Sequence, residues 1–483
     1  MNTETEIKLE LSLEDLDRFL ASDLLGEPAK VEAQRSVYFD TRSRDLFEAG
    51  FTLRIRTVGA ARTQTIKATG PGASLFARPQ WEMPLSADRP VVDHSTPLAG
   101  AFALEPDDLE PQFAVEVERT TFDVEQDGTE IEVALDRGAV VSASRRTPVV
   151  EIELELKDGD PKALFVLARR IEAIVPIRFG VMSKAERGFR LIAAEQVVFK
   201  AEPVELDRDM GVAKSFRAVA LACLRHYRLN ETVFRERSNP EALHQARVAL
   251  RRLRSAFSLY KDMLLDDESQ RIRGELKWLA GVFGAARDVD VLLTRQPGPD
   301  LRERLQTARA TRYAELFEAL DGSRGRALLL DLHEWLHGGA YLSNVPAEFR
   351  DRSAVDFAEA VLDRERRKLK KHGRALGKVS DEERHEARKD AKKLRYAAEF
   401  FASLFDDKRG ARRHRRFIDA MTGLQDRLGT LNDLVSAPLV LEDVGLDDHP
   451  DAEALTVRTD KEKLIDSAQG ALDDVIDAKR FWR

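Results

Sequence analysis

The opening stretch MNTETEIKLEL sets Glu4, Glu6 and Lys8 two residues apart. In an extended strand, side chains two apart share a face, so these three join Glu10 on one side while Thr5, Ile7, Leu9 and Leu11 take the other. FTLRIRT repeats the arrangement with cations, setting Thr52, Arg54 and Arg56 against Phe51, Leu53 and Ile55. Lys67 follows in TIK, and EIELEL sets Glu151, Glu153 and Glu155 against Ile152, Leu154 and Leu156. One such strand suits the wetted face of an ordinary antiparallel sheet. The set does not, because the charges sort by strand, and three carboxylates on one face repel unless cations sit among them. If the sheet closes with its charged faces inward, arginine and lysine can neutralise a chain of phosphates while carboxylates hold a hard divalent cation through oxygen. A triphosphate with its metal needs both walls.

The elements that must position these residues change character once along the chain. Up to about residue 200, runs such as RSVYFDT, RTQTIKATG, FAVEVERTTFDV and TEIEVALDRG alternate, are rich in Val, Ile, Thr and Phe, and end at Gly, Pro or Asp. They predict a dominant antiparallel sheet, with helices at SLEDLDRFLAS and PKALFVLARRIEAIV. TGPGAS joins two strands rather than opening a helix, so it reads as a turn and not a phosphate cradle. After the mixed-charge stretch VVFKAEPVELDRDMG, apolar residues recur at three- and four-residue spacing from Val212 onward, which predicts helices. The expected domains are residues 1–200, a linker at 201–211, and a helical domain at 212–483. The 483 residues are 34% charged with a formal net charge of -8, which argues against a protein that coats nucleic acid. The single cysteine, Cys223 in AVALACL, excludes an internal disulfide framework and predicts a small buried side chain. The polar opening residues and the lack of a bilayer-length apolar run lead to the expectation of a cytoplasmic protein with no membrane partner.

The helical half repeats itself. HQARVALRRLRSAFSLY from His244 matches HEARKDAKKLRYAAEFF from His385, and FGAARDVDVL around Gly284 and Asp288 is echoed by LGTLNDLV around Gly429 and Asp433. Two ordered matches per copy predict two similar helical units, about 212–340 and 350–483. On the first copy His244, Arg247, Arg251 and Arg254 gather on one stripe beside Leu243, Ala246, Leu250, Leu253 and Phe257; the second copy aligns His385, Arg388, Lys392 and Arg395. A single basic helix face is usually solvated surface, whereas two related stripes brought to one axis form a groove suited to a polyanion.

Glu4, Glu6 and Lys8 form an E-x-E-x-K signature, followed in order by YFDT, LFEAGFTLRIR, IKATG, QWEMPL, VALDRG, EIELELKDG and SKAERG. Over roughly residues 1–200 the chain thus resembles the CYTH domain of the triphosphate tunnel metalloenzymes. The resemblance implies an α+β fold with an eight-stranded antiparallel β tunnel and flanking helices, and divalent-metal chemistry with Mg2+ or Mn2+ on triphosphates. It implies that Lys8, Arg54, Arg56, Lys67, Arg119 and Lys184 grip phosphate oxygens. Glu4, Glu6, Glu82, Asp136, Glu151 and Glu153 would hold metal or position water, Glu6 sharing the catalytic role with those cations.

The helical half, through HQARVALRRLRS, FGAARDVDVL and KDAKKLRYAAEFF, resembles the CHAD domain, an all-α family of two related helical bundles that binds inorganic polyphosphate along a basic channel. That resemblance implies Arg247, Arg251, Arg254, Arg388, Lys392 and Arg395 as ligands, supported by His244, His385, Arg252, Lys389 and Lys393. Asp288 and Asp433 are expected to cap helices or pair with arginines. Together the halves lead to the expectation of a metal-dependent inorganic triphosphatase whose helical domain docks polyphosphate, with association to polyphosphate granules. A thiamine or nucleoside triphosphatase or cyclase would use the same tunnel but needs an aromatic platform, for which Tyr38, Phe39, Phe76 and Trp81 are the candidates. The third possibility is a non-catalytic polyphosphate scaffold, which the retained carboxylates disfavour.

Overall fold

The computed structural model describes residues 2–68, 78–93, 96–102, 104–143, 145–193, 197–350, 352–456 and 461–483. The chain divides into two compact units, Met1–Val197 and Val198–Arg483.

In the first unit the alternating runs become antiparallel strands: β1 Asn2–Glu10, β2 Lys30–Asp40, β3 Phe51–Val58, β4 Ala61–Ala68, β5 Arg78–Leu85, β6 Glu110–Gln126, β7 Thr129–Ser142, β8 Arg145–Asp158 and β9 Arg178–Phe179. Their order is β5-β4-β3-β2-β6-β7-β8-β1-β9. This corrects the expected eight-stranded tunnel: the sheet has nine strands and is not sealed along its length. The reason lies on one edge of β1, which is divided between two partners. Asn2, Thr3 and Glu4 pair with Gln80, Pro79 and Arg78 of β5, whereas Leu9 and Glu10 pair with Phe179 and Arg178 of β9. β5 therefore meets β1 at one end only.

Three longer helices pack on this sheet: α1 Leu13–Leu20, α2 Lys162–Glu172 and α3 Lys184–Ile192. α3 begins in a capping box, where the Ser183 hydroxyl accepts from the Glu186 N–H and the Glu186 carboxylate accepts from the Ser183 N–H at 2.7 Å. It carries Ala185 and Phe189 into an apolar cluster with Tyr38, Phe113, Val115, Val117, Val140 and Val149. The opposite sheet face buries Phe39, Leu53, Ile55 and Ile66 under Leu46, Leu98 and Leu109. β2 thus buries Phe39 in the outer core and Tyr38 on the side of α3.

The second unit is helical, with α4 Val212–Arg237, α5 Pro240–Leu259, α6 Asp267–Thr294, α7 Pro299–Asp321, α8 Ser323–Gly338, α9 Ala354–His372, α10 Asp381–Phe400, α11 Lys408–Asp443 and α12 Lys461–Asp477. α5 and α10 are the repeated helices. Ala246, Leu250, Leu253 and Ala256 are buried in one, and Ala387, Ala391, Leu394 and Ala397 in the other. The residues before α4 do not hang free: Val204 and Leu206 are buried, and the Leu206 N–H donates to Ser403 Oγ at 2.9 Å. Cys223 is buried as a free thiol. Among the described residues no helix is long and apolar enough to cross a membrane.

Gly188 of α3 makes a close approach, where an added Cβ would lie 1.9 Å from the Phe113 ring. That ring is held by stacking on Tyr38 (4.8 Å between centroids) and by the edge of Phe189 (5.1 Å). Gly188→Ala should therefore destabilise the unit by about 1–3 kcal/mol through overpacking, read as a lower urea midpoint. An unchanged midpoint would mean that α3 can shift freely.

Candidate functional site

The strand register carries the charged faces to one side of the sheet. Glu6, Lys8 and Glu10 of β1 stand opposite Glu155, Glu153 and Glu151 of β8, which in turn face Glu132, Ala134 and Asp136 of β7. Asp136 faces Arg119 of β6. Across the sheet Arg54 lies between Tyr38 and Thr65, and Lys67 between Thr52 and Gln80. A one-residue slip in any strand would turn its charges outward.

These residues enclose a cavity of about 280 Å³. Of the predicted residues, Glu6, Lys8, Arg54, Arg56, Lys67, Glu82, Arg119, Glu153 and Lys184 line it. Asp136 and Glu151 sit fully buried behind the wall. Glu4 belongs to β1, but its side chain lies outside the described residues. The lining also includes Glu132, Glu155 and Lys157, which were not among the predicted site residues. Strand parity was the available signal, since Lys157 continues the face of Glu153 and Glu155, and Glu132 that of Asp136.

One wall is a cluster of buried ion pairs. Lys184 Nζ lies 2.6 Å from Asp136 and 2.9 Å from Glu153 and pairs with Glu151. Lys8 Nζ is 3.0 Å from Glu153 and 3.5 Å from Glu151. Arg119 grips Asp136 with two bonds of 2.7 and 2.6 Å and reaches Glu153 at 2.6 Å, while Arg187 spans Glu10 at 2.6 Å and Glu151 at 3.0 Å. Burial alone would favour neutral carboxyls, but Lys184, Lys8 and Arg119 outweigh it and hold Glu153 well below the usual carboxylate range. By the same contest, burial opposes the Lys184 ammonium, yet Asp136, Glu151 and Glu153 raise its pKa.

Carboxylate oxygens of Asp136, Glu151 and Glu153 all lie within 4.8 Å of one another. An all-oxygen donor set of this kind fits a hard divalent cation, and the space it would take is the one the Lys184 ammonium shares. The opposite wall is crowded with cations. Arg54 beside it, together with burial and Arg119, pushes the Arg56 pKa down to about 10. The Nε atoms of Arg54 and Arg56 are buried without a hydrogen-bond partner. An anion in the cavity would relieve both costs.

In the helical unit a second cavity, of about 640 Å³, lies between α5, α6 and α10. Arg247, Arg251, Arg254, His385, Arg388, Lys389, Lys392 and Lys393 line it, joined by Arg273 and Lys277 of α6, which the sequence reading missed. Among the described residues no carboxylate lines it. Three predicted residues lie elsewhere: Arg252 pairs with Glu399, Arg395 is held by Glu399 and Gln425, each at 2.9 Å, and His244 does not line the cavity. Arg251 Nε donates to the Tyr396 hydroxyl at 2.6 Å, a bridge between the two repeated helices. Burial, followed by Arg251, Arg388 and Arg247, pushes Lys392 down to about 6. Asp288 shifts upward through burial and neighbouring Asp433, although Arg247 pulls it back.

Lys184→Ala would leave the carboxylate cluster without its central cation. It should destabilise the first unit by about 3–5 kcal/mol, and millimolar Mg2+ should restore the melting temperature of the variant more than that of wild type. Equal melting curves would sink the view that Lys184 balances this cluster.

Family comparisons agree with this layout. A CYTH domain model matches residues 2–189 and a CHAD domain model residues 218–442. An inorganic triphosphatase of Haemophilus influenzae is 31% identical over 202 residues, which cover 40% of this chain and 55% of that protein, so the chain spans about half the length of this curated relative. Among solved structures, the CHAD domain from the plant Ricinus communis is 28% identical, covering 59% of this chain and 97% of its own, with a TM-score of 0.48. HpAC1 from Hippeastrum, described with a dominant triphosphatase activity, is 18% identical over 38% of this chain and 93% of its own, with a TM-score of 0.31. From the two family matches, the chain carries an N-terminal CYTH domain followed by a C-terminal CHAD domain.

Proposed function

We propose that the first unit hydrolyses inorganic triphosphate to diphosphate and phosphate with Mg2+ or Mn2+, and that the helical unit binds inorganic polyphosphate. The observation that carries the first part is the pairing of walls: crowded Arg54, Arg56 and Lys67 face a cavity whose other side bears Glu6 and Glu153. Lys8, Arg54, Arg56, Lys67, Arg119 and Lys184 would bind phosphate oxygens and stabilise the charge that spreads over the transferring group. Glu4, Glu6, Glu82, Asp136, Glu151 and Glu153 would hold the metal, which when bound supplies Lewis-acid charge at the phosphates. A wall carboxylate would orient the attacking water and take its proton.

Among the described residues the aromatic candidates give an organic triphosphate little to stack on. Trp81 and Phe39 pack in the outer apolar cluster, Phe76 lies outside the described residues, and Tyr38, which does line the cavity, spends its ring face on Phe113 at 4.8 Å. The polyphosphate reading rests on the cation-lined second cavity and on Lys392, whose charged form a bound anion would favour against burial and its arginine neighbours.

Phosphate release should be strongest on inorganic triphosphate, beside ATP, thiamine triphosphate and long polyphosphate, and should vanish with chelator. Lys8→Ala and Arg56→Ala should each lower kcat/KM about a hundredfold or more while staying folded. Wild-type rates in both would refute the assignment. In the second cavity Lys392 is neutral in the free protein above about pH 6. Binding a polyanion there takes up a proton, so affinity for polyphosphate should strengthen as pH falls from 8 to 6. Lys392→Met should flatten that profile, and an equally steep profile in the variant would place the proton elsewhere.

A further inference from the structure

The repeat that builds the second cavity is not symmetric in charge. Gly284 and Asp288 of α6 correspond to Gly429 and Asp433 of α11, and the burial pattern extends that alignment without a gap. Ile272, Leu276, Leu279 and Phe283 are buried in α6, and Phe417, Met421, Leu424 and Leu428 in α11. On α6 the positions Arg273, Lys277, Gly281, Gly284 and Asp288 follow one another at four- and three-residue steps and so share a stripe. The corresponding stripe on α11 reads Ile418, Thr422, Asp426, Gly429 and Asp433. One copy therefore offers two cations and a glycine where the other offers an apolar residue, a hydroxyl and an exposed acid.

The neighbouring charges on α6 are already committed, and these two are not. Arg271 pairs with Glu268 at 2.5 Å and also with Asp331, and Glu275 pairs with Arg324 at 2.7 Å. Among the described residues Arg273 and Lys277 have no carboxylate partner, and both line the cavity. The repeated helices differ as well, in both directions: Arg254 lines the cavity on the first copy while its counterpart Arg395 is tied to Glu399 and Gln425, and Lys389 and Lys393 line it on the second where Val248 and Arg252 do not.

We propose that Arg273 and Lys277 form, with Arg254, a one-sided extension of the anion cavity. A long inorganic polyphosphate leaving the shared centre runs out along α6 of the first copy and not along α11 of the second. This rests on the polyphosphate reading above and adds its direction and the residues that select for chain length. A short chain fills the centre at Arg247, Arg251, Arg388 and Lys392; a longer one gains the outer cations.

The test measures binding of short-chain and long-chain inorganic polyphosphate to the full-length protein, with chelator present and salt varied. Arg273→Ala/Lys277→Ala should weaken long-chain binding about tenfold and lower its salt slope by between one and two, while changing short-chain affinity by less than about twofold. Arg271→Ala, which removes a committed cation from the same helix, should change neither. Equal losses on both lengths, no loss on the long chain, or an equal effect of Arg271→Ala would each overturn the proposal. Failure of wild type to bind either chain would instead sink the polyphosphate reading, and this extension with it.

Discussion

Three carboxylates whose oxygens lie within 4.8 Å of one another cannot all stay ionised in a buried space unless cations are held among them. In the first unit that requirement falls on Asp136, Glu151 and Glu153, and Lys184 meets it from a helix rather than from the sheet. Much of the local architecture follows. α3 must end its approach with Lys184 among the acids, so it starts at a fixed cap on Ser183. It must also lie close to β6, so position 188 has no room for a side chain. The apolar cluster of Phe113, Val115, Val140 and Phe189 packs α3 in this position.

The opposite wall carries the converse imbalance. Arg54 and Arg56 lie on one strand, two residues apart, and the strain of holding them together appears in the lowered Arg56 pKa. A protein surface selected only for stability would pair such cations with acids, as β8 does with Lys8. Here most of the acids lie on the wall with Lys8 and Lys184, and Arg54 and Arg56 share theirs with Glu82 alone of the described lining acids, an imbalance that a bound anion would relieve.

The helical unit gathers cations around a cavity with no carboxylate among its described lining residues, while Asp288 and Asp433 act on Arg247 and Arg388 from nearby. These cations come from α5, α6 and α10, and burial, with Arg251 and Arg388 beside it, pushes Lys392 down to about 6. The bond from Arg251 to Tyr396 holds the two repeated helices in a defined relation, so these cations present a preformed rather than a floppy surface.

Local periodicity made a good part of this readable beforehand. Alternation of charge and apolar residues in EIKLEL, FTLRIRT and EIELEL is a property of neighbours two apart, and it assigns Glu6, Lys8, Arg54, Arg56 and Glu153 to one face whatever the rest of the chain does. The repeat from His244 and His385 is likewise written in residue order, and it sets α5 against α10 as related helices. What neighbours cannot specify is which strand or helix lies across from which. The split edge of β1, shared between β5 and β9, depends on a two-residue strand too short to leave a pattern. The withdrawal of Asp136 and Glu151 behind the wall depends on where Lys184, Arg119 and Arg187 arrive from distant segments. The same holds for Arg252 and Arg395, whose places on a basic stripe are local but whose capture by Glu399 is not. The sequence alone determined which side chains share a face; only the tertiary structure decided which of those faces meet, because opposing charges are brought together by long-range packing and not by spacing along the chain.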